Sequence, residues 1–278
     1  MTERSVLIRV PATVGNFGGA VDCAALALDA LLNTRASTRR DGQVGVRYFG
    51  ENGERVPRDS SNLAVRAMQA ALELKGLPFT GADFEMYGSA PVGIGLGSST
   101  AAVWAGLLAA DCLYRLNLGE KSLFELAGTL EPRGDNLRAA WLGGFVARFE
   151  EGPSRVYRST VVPDDLVLRV VVPEVRGQRG SAATVPGLSE VLRIRASGLE
   201  AVFVCGSGPA IGVLAHSDEP ESAVEKVVEC LAWHGAASKV VPFRPAAAGA
   251  CDLNAGGTEV RLAPLVGLDM PDRPSLPV

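Results

Sequence analysis

The sequence predicts an α+β fold in two domains. Its 278 residues suffice for two modest hydrophobic cores. The first half combines alternating strand patterns with a helix that is apolar on nearly all sides, and the second half shows the order βαββαβ, which is typical of ferredoxin-like domains. Because Gly152-Pro153 separates these halves, we predict domains at 1–151 and 152–253, followed at 254–278 by a proline- and glycine-containing tail on the surface.

Strands are predicted at the start of the first domain. Residues 6–10 have the pattern of a short strand that ends at Pro11, and residues 44–48 alternate as a half-buried strand should. Residues 23–38 leave two structures open, because their alanines and leucines favour a helix whereas Arg35–Thr38 favour an extended chain.

Helices become more frequent after residue 48. Ser60 or Ser61 is predicted to cap a helix that ends before Gly76, and residues 84–86 belong to another strand. Residues 98–113 are apolar on nearly all sides, which predicts a helix inside the domain. The remaining predictions are helices at 121–130, 136–142, 187–196 and 219–233, and strands at 145–149, 166–172, 201–205, 210–215 and 238–243.

Composition and charge exclude several classes of protein. The formal net charge is −4 and the chain has no basic run, so we expect no nucleic-acid partner. The longest strongly apolar run, Ala101–Ala110, is too short to cross a bilayer, and the N-terminus lacks a signal peptide's apolar stretch. Five scattered cysteines without a CxxC pair favour reduced thiols and a cytoplasmic location. His216 and His234 are expected to be structural or solvent-facing.

A glycine-rich segment before the buried helix predicts a phosphate-binding loop. Alternate glycines let the backbone approach an anion, and the free amides of the helix start point into the loop. A P-loop would need a Gly-Lys pair, which the chain lacks. Simple capping of the buried helix is the alternative. The predicted nucleotide-binding residues are Pro91, Val92, Gly93, Ile94, Gly95, Leu96, Gly97, Ser98, Ser99, Thr100 and Ala101.

Four segments, in order, resemble the signatures of the GHMP kinases, the superfamily of galactokinase, homoserine kinase, mevalonate kinase and phosphomevalonate kinase. The homoserine kinase branch is the most similar. The segments are Pro11–Asp22, Pro91–Ser99, Glu131–Asn136 with Leu142–Gly144, and Cys205–Ala210, and the resemblance covers about residues 5–252. It implies a first domain of the ribosomal-protein-S5-domain-2-like type, a ferredoxin-like second domain, and ATP and Mg²⁺ as cofactors.

The resemblance also implies how an acceptor would be held. Asn16 and Asp22 would contact it, with the Asp22 carboxylate facing an ammonium group. Asp135 and Asn136 would lie near the γ-phosphate and the attacking oxygen. We expect Asn16 or Asn136 to orient the hydroxyl, and we assign no catalytic base because a loose transition state needs none.

On the nucleotide side, the resemblance makes Glu131 the magnesium ligand together with Ser99, and Glu125 is the alternative. Arg133 is a candidate cation, since no lysine lies near the loop. Asn62 would contact the base or ribose, or else only cap a helix. The main-chain amides of the hairpin Gly206, Ser207 and Gly208 would face the site from the second domain.

The chain departs from the homoserine kinase pattern where arginines would hold an amino-acid carboxylate. A segment of some tens of residues is missing there. The candidates to replace them are Arg176, Arg179, Arg193 and Arg195, and nothing in the sequence selects among these four.

Three functions follow from the resemblance. The leading one is phosphorylation of L-homoserine to O-phospho-L-homoserine in threonine biosynthesis. A GHMP kinase for another small hydroxylated metabolite, and a non-catalytic protein that binds a nucleotide or metabolite, are the alternatives. Because family members often dimerise through the first domain's sheet, a homodimer is also left open.

Overall fold

Two sheets, each with helices on its outer face, pack against one another. The computed structural model describes residues 4–17, 20–151, 154–174, 181–194, 201–217 and 222–253. The first sheet contains β1 (Ser5–Phe17), β2 (Ala20–Thr38), β3 (Val44–Phe49), β4 (Ala82–Gly88), β5 (Phe145–Glu151), β6 (Ser154–Thr160) and β11 (Cys251–Asp252). The second contains β7 (Leu166–Pro173), β8 (Ala201–Val204), β9 (Ile211–His216) and β10 (Ser238–Phe243). The helices are α1 (Leu63–Leu74), α2 (Ser98–Tyr114), α3 (Glu120–Leu130), α4 (Gly134–Leu142), α5 (Leu188–Val191) and α6 (Ser222–Trp233).

The first two strands are longer than the sequence patterns predict. β1 continues through Pro11, where a register shift relative to β2 accommodates the proline, so the predicted end of the strand at this residue was wrong. The whole of residues 23–38 is extended within β2, which resolves the open choice in favour of strand. Both strands are buried between two layers, with Ile8 on the helical side and Ala12 on the side of the second sheet. Burial on both faces removes the alternation that normally reveals a strand.

Two helices differ at their ends from the predictions. Asn62, rather than Ser60 or Ser61, caps α1 by accepting a hydrogen bond from the Ala64 amide. The helix predicted at 187–196 is a single turn over Leu188–Val191, and residues 195–200 lie outside the described ranges. The buried helix and the helices before and after Glu131 form as predicted, to within two residues at each end.

The second sheet has the strand order β10-β7-β9-β8, which is that of the predicted ferredoxin-like arrangement. Its strands occupy residues 166–243. The strand pairings do not change at Gly152-Pro153, because β6 pairs with β5 and β11 returns to pair with β1. The division into domains therefore remains a prediction, as does the surface tail, which lies outside the described residues.

Three layers of apolar contacts hold these elements together. One core joins the first sheet to α1–α4 and includes Trp104, which is fully buried. A second joins the two sheets through residues such as Leu28 and Phe203, and a third joins the second sheet to α5 and α6. Within the described ranges, no helix combines the length and hydrophobicity needed to cross a membrane. The start of α2, the end of β1, and the hairpin between β8 and β9 come together at one edge of the middle layer.

Candidate active site

The glycine-rich loop adopts the main-chain geometry that its glycines predict. Gly93, Gly95 and Gly97 have φ values of 77°, 95° and 66°. A Cβ on Gly95 would lie 1.8 Å from the Cys205 carbonyl oxygen, and one on Gly97 would lie 2.2 Å from Thr13 Oγ1. The loop therefore needs glycine both for its backbone angles and for close packing against β1 and the second sheet.

α2 opens directly out of this loop at Ser98. Its N-cap is Gly97, which has no side chain with which to accept from the first-turn amides. Such amides, together with the helix dipole, favour an anion. Ser98 and Ser99 also line a cavity at this point, so the helix start is open to a ligand.

Four of the predicted loop residues have buried side chains or an amide that is already bonded. Ile94 and Leu96 are buried in the core between the sheets, so only their main chain is available. The amide of Ala101 already donates to the Gly97 carbonyl at 2.9 Å as part of α2. Thr100 is fully buried, and its hydroxyl lies 3.4 Å from Glu131 Oε2. The nucleotide contacts predicted for these residues remain predictions.

Ser99, Glu131 and Arg133 form a polar cluster at the start of α2. The Ser99 hydroxyl donates to Glu131 Oε2 at 2.5 Å, and Arg133 Nε donates to Glu131 Oε1 at 3.1 Å. Arg133 Nη2 lies 3.5 Å from the Ser99 hydroxyl. Although burial opposes ionisation, the hydrogen bonds from Ser99 and Arg133 lower the pKa of Glu131 below its ordinary value. A carboxylate and a guanidinium thus lie where a triphosphate on the loop would end.

The geometry also separates the two candidate metal ligands. Glu131 follows the last residue of α3 and is only 3 % exposed. Glu125 lies earlier on α3, where it pairs with Lys121 at 3.9 Å and is about half exposed. Glu131 is therefore the carboxylate beside Ser99, as predicted, and its oxygen ligands are of the type that Mg²⁺ prefers.

An acidic and an amide side chain at the start of α4 lie beside the end of β1. Asp135 and Asn136 in the first turn of α4 are almost fully buried, and a Cβ on Gly15 would lie 3.2 Å from Asp135 Oδ2. Burial raises the pKa of Asp135, and the charge of Asp22 adds to this effect. Asn136 Oδ1 is buried and has no hydrogen-bond partner within the described part of the chain. A ligand hydroxyl or ammonium would satisfy these groups.

The hairpin of the second sheet closes the site. Asn16 has a φ of 70° and donates from Nδ2 to the Gly206 carbonyl at 2.6 Å. The Arg133 guanidinium lies beside Gly206, since a Cβ built on that glycine would come within 3.1 Å of Nη1. Ser207 and Gly208 continue this hairpin. The amides of Gly206 and Gly208 already donate to the carbonyls of Gly15 and Cys205, and Asn16 is also bonded within the protein. The contacts predicted from this hairpin to a nucleotide therefore remain predictions.

A cavity of about 300 Å³ extends from the loop toward the start of α1. Its walls are mostly apolar. Asn62 lines it, but its Nδ2 donates to the Pro57 carbonyl at 2.9 Å while its Oδ1 caps α1, so both polar groups are engaged within the protein. Capping is therefore confirmed, and contact with a nucleotide remains a prediction. The cavity also includes Tyr48 and Arg55, which sequence reasoning missed because no local motif marks them.

Two predicted substrate residues, Arg176 and Arg179, lie outside the described ranges, as does Arg195. Arg193 follows α5 and is exposed. The residue that would hold an acceptor carboxylate is therefore still a prediction.

Residues 62–144 match the family model described as "GHMP kinases N terminal domain". This segment contains α1, the glycine-rich loop, α2 and the Glu131–Asn136 segment. This part of the chain is therefore similar to the N-terminal domain of GHMP kinases. The first-domain elements that hold the candidate phosphate loop are thus those of a known kinase family.

Curated relatives and solved structures agree with this family. The chain is 34% identical over 168 residues to homoserine kinase of Moorella thermoacetica, a match that covers 60% of this chain and 56% of that protein. For homoserine kinase of Streptomyces coelicolor, the identity is 35%, over 60% of this chain and 54% of that protein. The chain thus spans little more than half the length of the curated relatives it matches.

The fold itself is shared over nearly the whole chain. Homoserine kinase from Cytophaga hutchinsonii superposes with a TM-score of 0.67 at 20% identity, covering 90% of this chain and 97% of that one. Galactokinase from Lactococcus lactis gives 0.62 at 12% identity, covering 89% and 95%. The chain therefore shares its fold with these two kinases over most of its length.

Proposed function

We propose that the protein transfers the γ-phosphoryl group of ATP to the side-chain hydroxyl of L-homoserine, giving O-phospho-L-homoserine and ADP. The observation that carries this proposal is the convergence of Ser99, Glu131 and Arg133 at the open start of α2. Asp135 and Asn136 follow shortly after Arg133 in the chain and lie beside the end of β1. Similarity to proteins named homoserine kinase supports the choice of acceptor. The reaction would contribute to threonine biosynthesis.

On the nucleotide side, the loop amides and the helix dipole would bind the triphosphate. The adjoining cavity has the size and the apolar lining that suit a nucleoside base. Ser99 and Glu131 would hold Mg²⁺, which supplies charge neutralisation on the phosphates. The buried, ionised Glu131 fits this role, because its two oxygens face Ser99 and Arg133 rather than a hydrophobic wall.

On the acceptor side, Asp22 and Asp135 form a negative site for the ammonium group of homoserine. Burial and the charge of Asp22 raise the pKa of Asp135, and a cation bound beside Asp135 would favour its ionised form. Asn136 Oδ1, which is buried without a partner among the described residues, is suited to accept from the homoserine hydroxyl. Asn16 then acts by fixing the hairpin at Gly206.

Arg133 is the group best placed to neutralise the negative charge of the phosphoryl group during its transfer. Its guanidinium reaches both Glu131 and the Ser99 hydroxyl, and it lies beside the Gly206 hairpin. Phosphoryl transfer depends mainly on positioning and on neutralising the charge that spreads over the phosphoryl oxygens. Arg133 would provide that neutralisation in place of a lysine.

The test is ADP release from magnesium-ATP with and without L-homoserine. Two analogues of homoserine test its two charged groups separately. 4-Hydroxybutyrate lacks the ammonium group, and 3-amino-1-propanol lacks the carboxylate. We expect release that depends on homoserine and falls more without the ammonium, because two carboxylates face that group. Turnover with a different alcohol alone would replace the substrate assignment, and nucleotide binding without turnover of any acceptor would overturn the kinase proposal.

A further inference from the structure

Three potential metal ligands meet on the outer face of the second sheet, away from the candidate active site. They are Glu190 on α5, Cys230 on α6, and His234 just after α6. Their ligand atoms all lie within 4.8 Å of one another. The His234 amide donates to the Cys230 carbonyl at 3.2 Å, so the helical spacing continues and both side chains fall on one face.

The arrangement of these side chains is held by close packing. His234 Nε2 lies 2.8 Å from Glu190 Oε2. The imidazole packs directly on Gly187, the N-cap of α5, where a Cβ would come within 2.1 Å of the ring. Val191 and Leu231 are fully buried beneath, in the core that joins α5 to α6. The ring and the carboxylate are thus placed by two elements that share one core.

We propose that Glu190, Cys230 and His234 form a Zn²⁺ site. Sulfur, imidazole nitrogen and carboxylate oxygen are the donor types that Zn²⁺ takes in proteins, at about 2.0–2.3 Å from the ion. Ligand atoms around such a tetrahedral ion lie a little over 3 Å apart, which a small movement of these side chains would give. Because His234 and Glu190 are both partly exposed, an ion can enter from solvent and keep water as its fourth ligand.

A second histidine–carboxylate pair, which has no cysteine beside it, provides a comparison for the proposed metal site. His216 Nδ1 lies 2.9 Å from Asp165 Oδ2, at almost the same separation as the first pair. Within the described ranges, however, the cluster at Glu190 is the one group of three such side chains that could hold a metal ion. The His216 pair therefore serves as an internal control for an ordinary surface ion pair.

The site would fasten the segment that supports the active-site hairpin. α5 belongs to residues 181–194, and in the same segment the Ala182 amide donates to the Ser207 carbonyl at 2.8 Å. A Cβ on Gly208 would lie 2.7 Å from the Ala182 nitrogen, so the two segments are in close contact. Because metal binding contributes to the free energy of folding, an ion at this site would stabilise the contact between these two segments.

Metal binding can be measured without ATP or homoserine, so its outcome is independent of the proposed reaction. The untagged protein is stripped with a chelator and titrated with Zn²⁺ against a chromophoric competitor, and separately with Co²⁺. We expect one equivalent of Zn²⁺, a thiolate-to-cobalt charge-transfer band, and a rise in Tm of several degrees on adding Zn²⁺. Cys230→Ser should abolish the band. Cys230→Ser and His234→Ala should each weaken Zn²⁺ binding by more than the roughly 10–100-fold that outer partners of a metal cost.

His216→Ala and Cys112→Ser are the matched controls, and both should bind Zn²⁺ as the parent protein does. The proposal is overturned if the parent protein takes up no Zn²⁺, if Co²⁺ gives no thiolate band, or if the variants at Cys230 and His234 bind as tightly as the controls. Because metal uptake is measured on folded protein, circular dichroism of each variant first confirms the fold.

Discussion

The nucleotide side and the acceptor side of the candidate site are built in different ways. The first comes mainly from one stretch of main chain, Gly93–Ser99, whose shape is set by glycines and by the start of α2. The second comes from side chains on separate elements, including Asp22 on β2 and Asp135 on α4. A site made of contiguous backbone leaves a motif in the sequence, whereas one made of converging side chains leaves only scattered residues.

Glu131 is the proposed magnesium ligand, and its replacement should have the largest effect on turnover. Glu131→Gln keeps the shape of the side chain but removes the charge that would hold Mg²⁺. We expect turnover to fall by roughly 10²–10³-fold, which is typical of losing one group that stabilises charge in the transition state. Steady-state kinetics over a range of Mg²⁺ concentrations would measure it.

Glu125→Gln is the matched control, since Glu125 lies on the same helix but pairs with Lys121 near solvent. It should change turnover less than about twofold, as expected for an exposed ion pair. Equal losses from both variants would show that Glu131 is not the ligand.

The glycine loop should be sensitive to a single methyl group. Gly95→Ala would drive a Cβ into the Cys205 carbonyl at a φ of 95°, so backbone strain and overpacking add. We expect a loss of about 3 kcal/mol in the free energy of unfolding, measured by denaturant titration. Gly76→Ala has a similar positive φ but meets nothing within 4 Å, so it should cost only about 1 kcal/mol. If both cost the same, the close contact with the second sheet is not what requires glycine.

Arg133 tests whether the charge in the centre of the site serves chemistry or binding. Arg133→Ala should lower kcat by roughly 100-fold while ATP affinity changes only a few-fold, because the guanidinium lies at the end of the loop rather than along it. Arg133→Lys should recover part of kcat, since the charge returns without the bidentate geometry. A loss of ATP affinity as large as the loss of kcat would instead make Arg133 a nucleotide-binding residue.

Particular residues show how far sequence reasoning reached. The phosphate loop and the pairing of Ser99 with Glu131 were predicted, because a glycine motif and a family pattern mark them. The extended structure of β2 could not be chosen, since burial between two layers gives it the composition of a helix. The cap of α1 was displaced because Ser60, Ser61 and Asn62 are all good cap residues in a row.

The side chains that converge from distant elements were the least accessible to sequence reasoning. Tyr48 and Arg55 line the cavity without belonging to any motif. His234 was expected to be structural or solvent-facing, and its contact with Glu190 depends on how α5 packs against α6. Tertiary packing, rather than local pattern, determines these contacts.

Replacing Asp135 should have the smallest effect of these changes, and it tests the acceptor side most directly. Burial, aided by the charge of Asp22, raises its pKa above the ordinary 3.8, so the folded protein holds this proton more tightly than the unfolded chain. Stability should therefore fall as pH rises from the ordinary value through the raised one. Asp135→Asn removes that loss of stability, so we expect a higher Tm at pH 7, a flatter acid profile, and a raised KM for homoserine.

Asp59→Asn is the control of opposite sign. Hydrogen bonds from the Ser61 hydroxyl and amide lower the pKa of Asp59, so its ionised form contributes stability above the ordinary pKa, and that contribution is lost as pH falls. Its replacement should lower Tm slightly at pH 7 and leave KM unchanged. If Asp135→Asn also lowers Tm at pH 7, its carboxylate is already neutralised within the protein, and the acceptor ammonium has no unpaired charge to meet. A higher Tm together with a higher KM would mean that stability is given up at Asp135 to hold the acceptor.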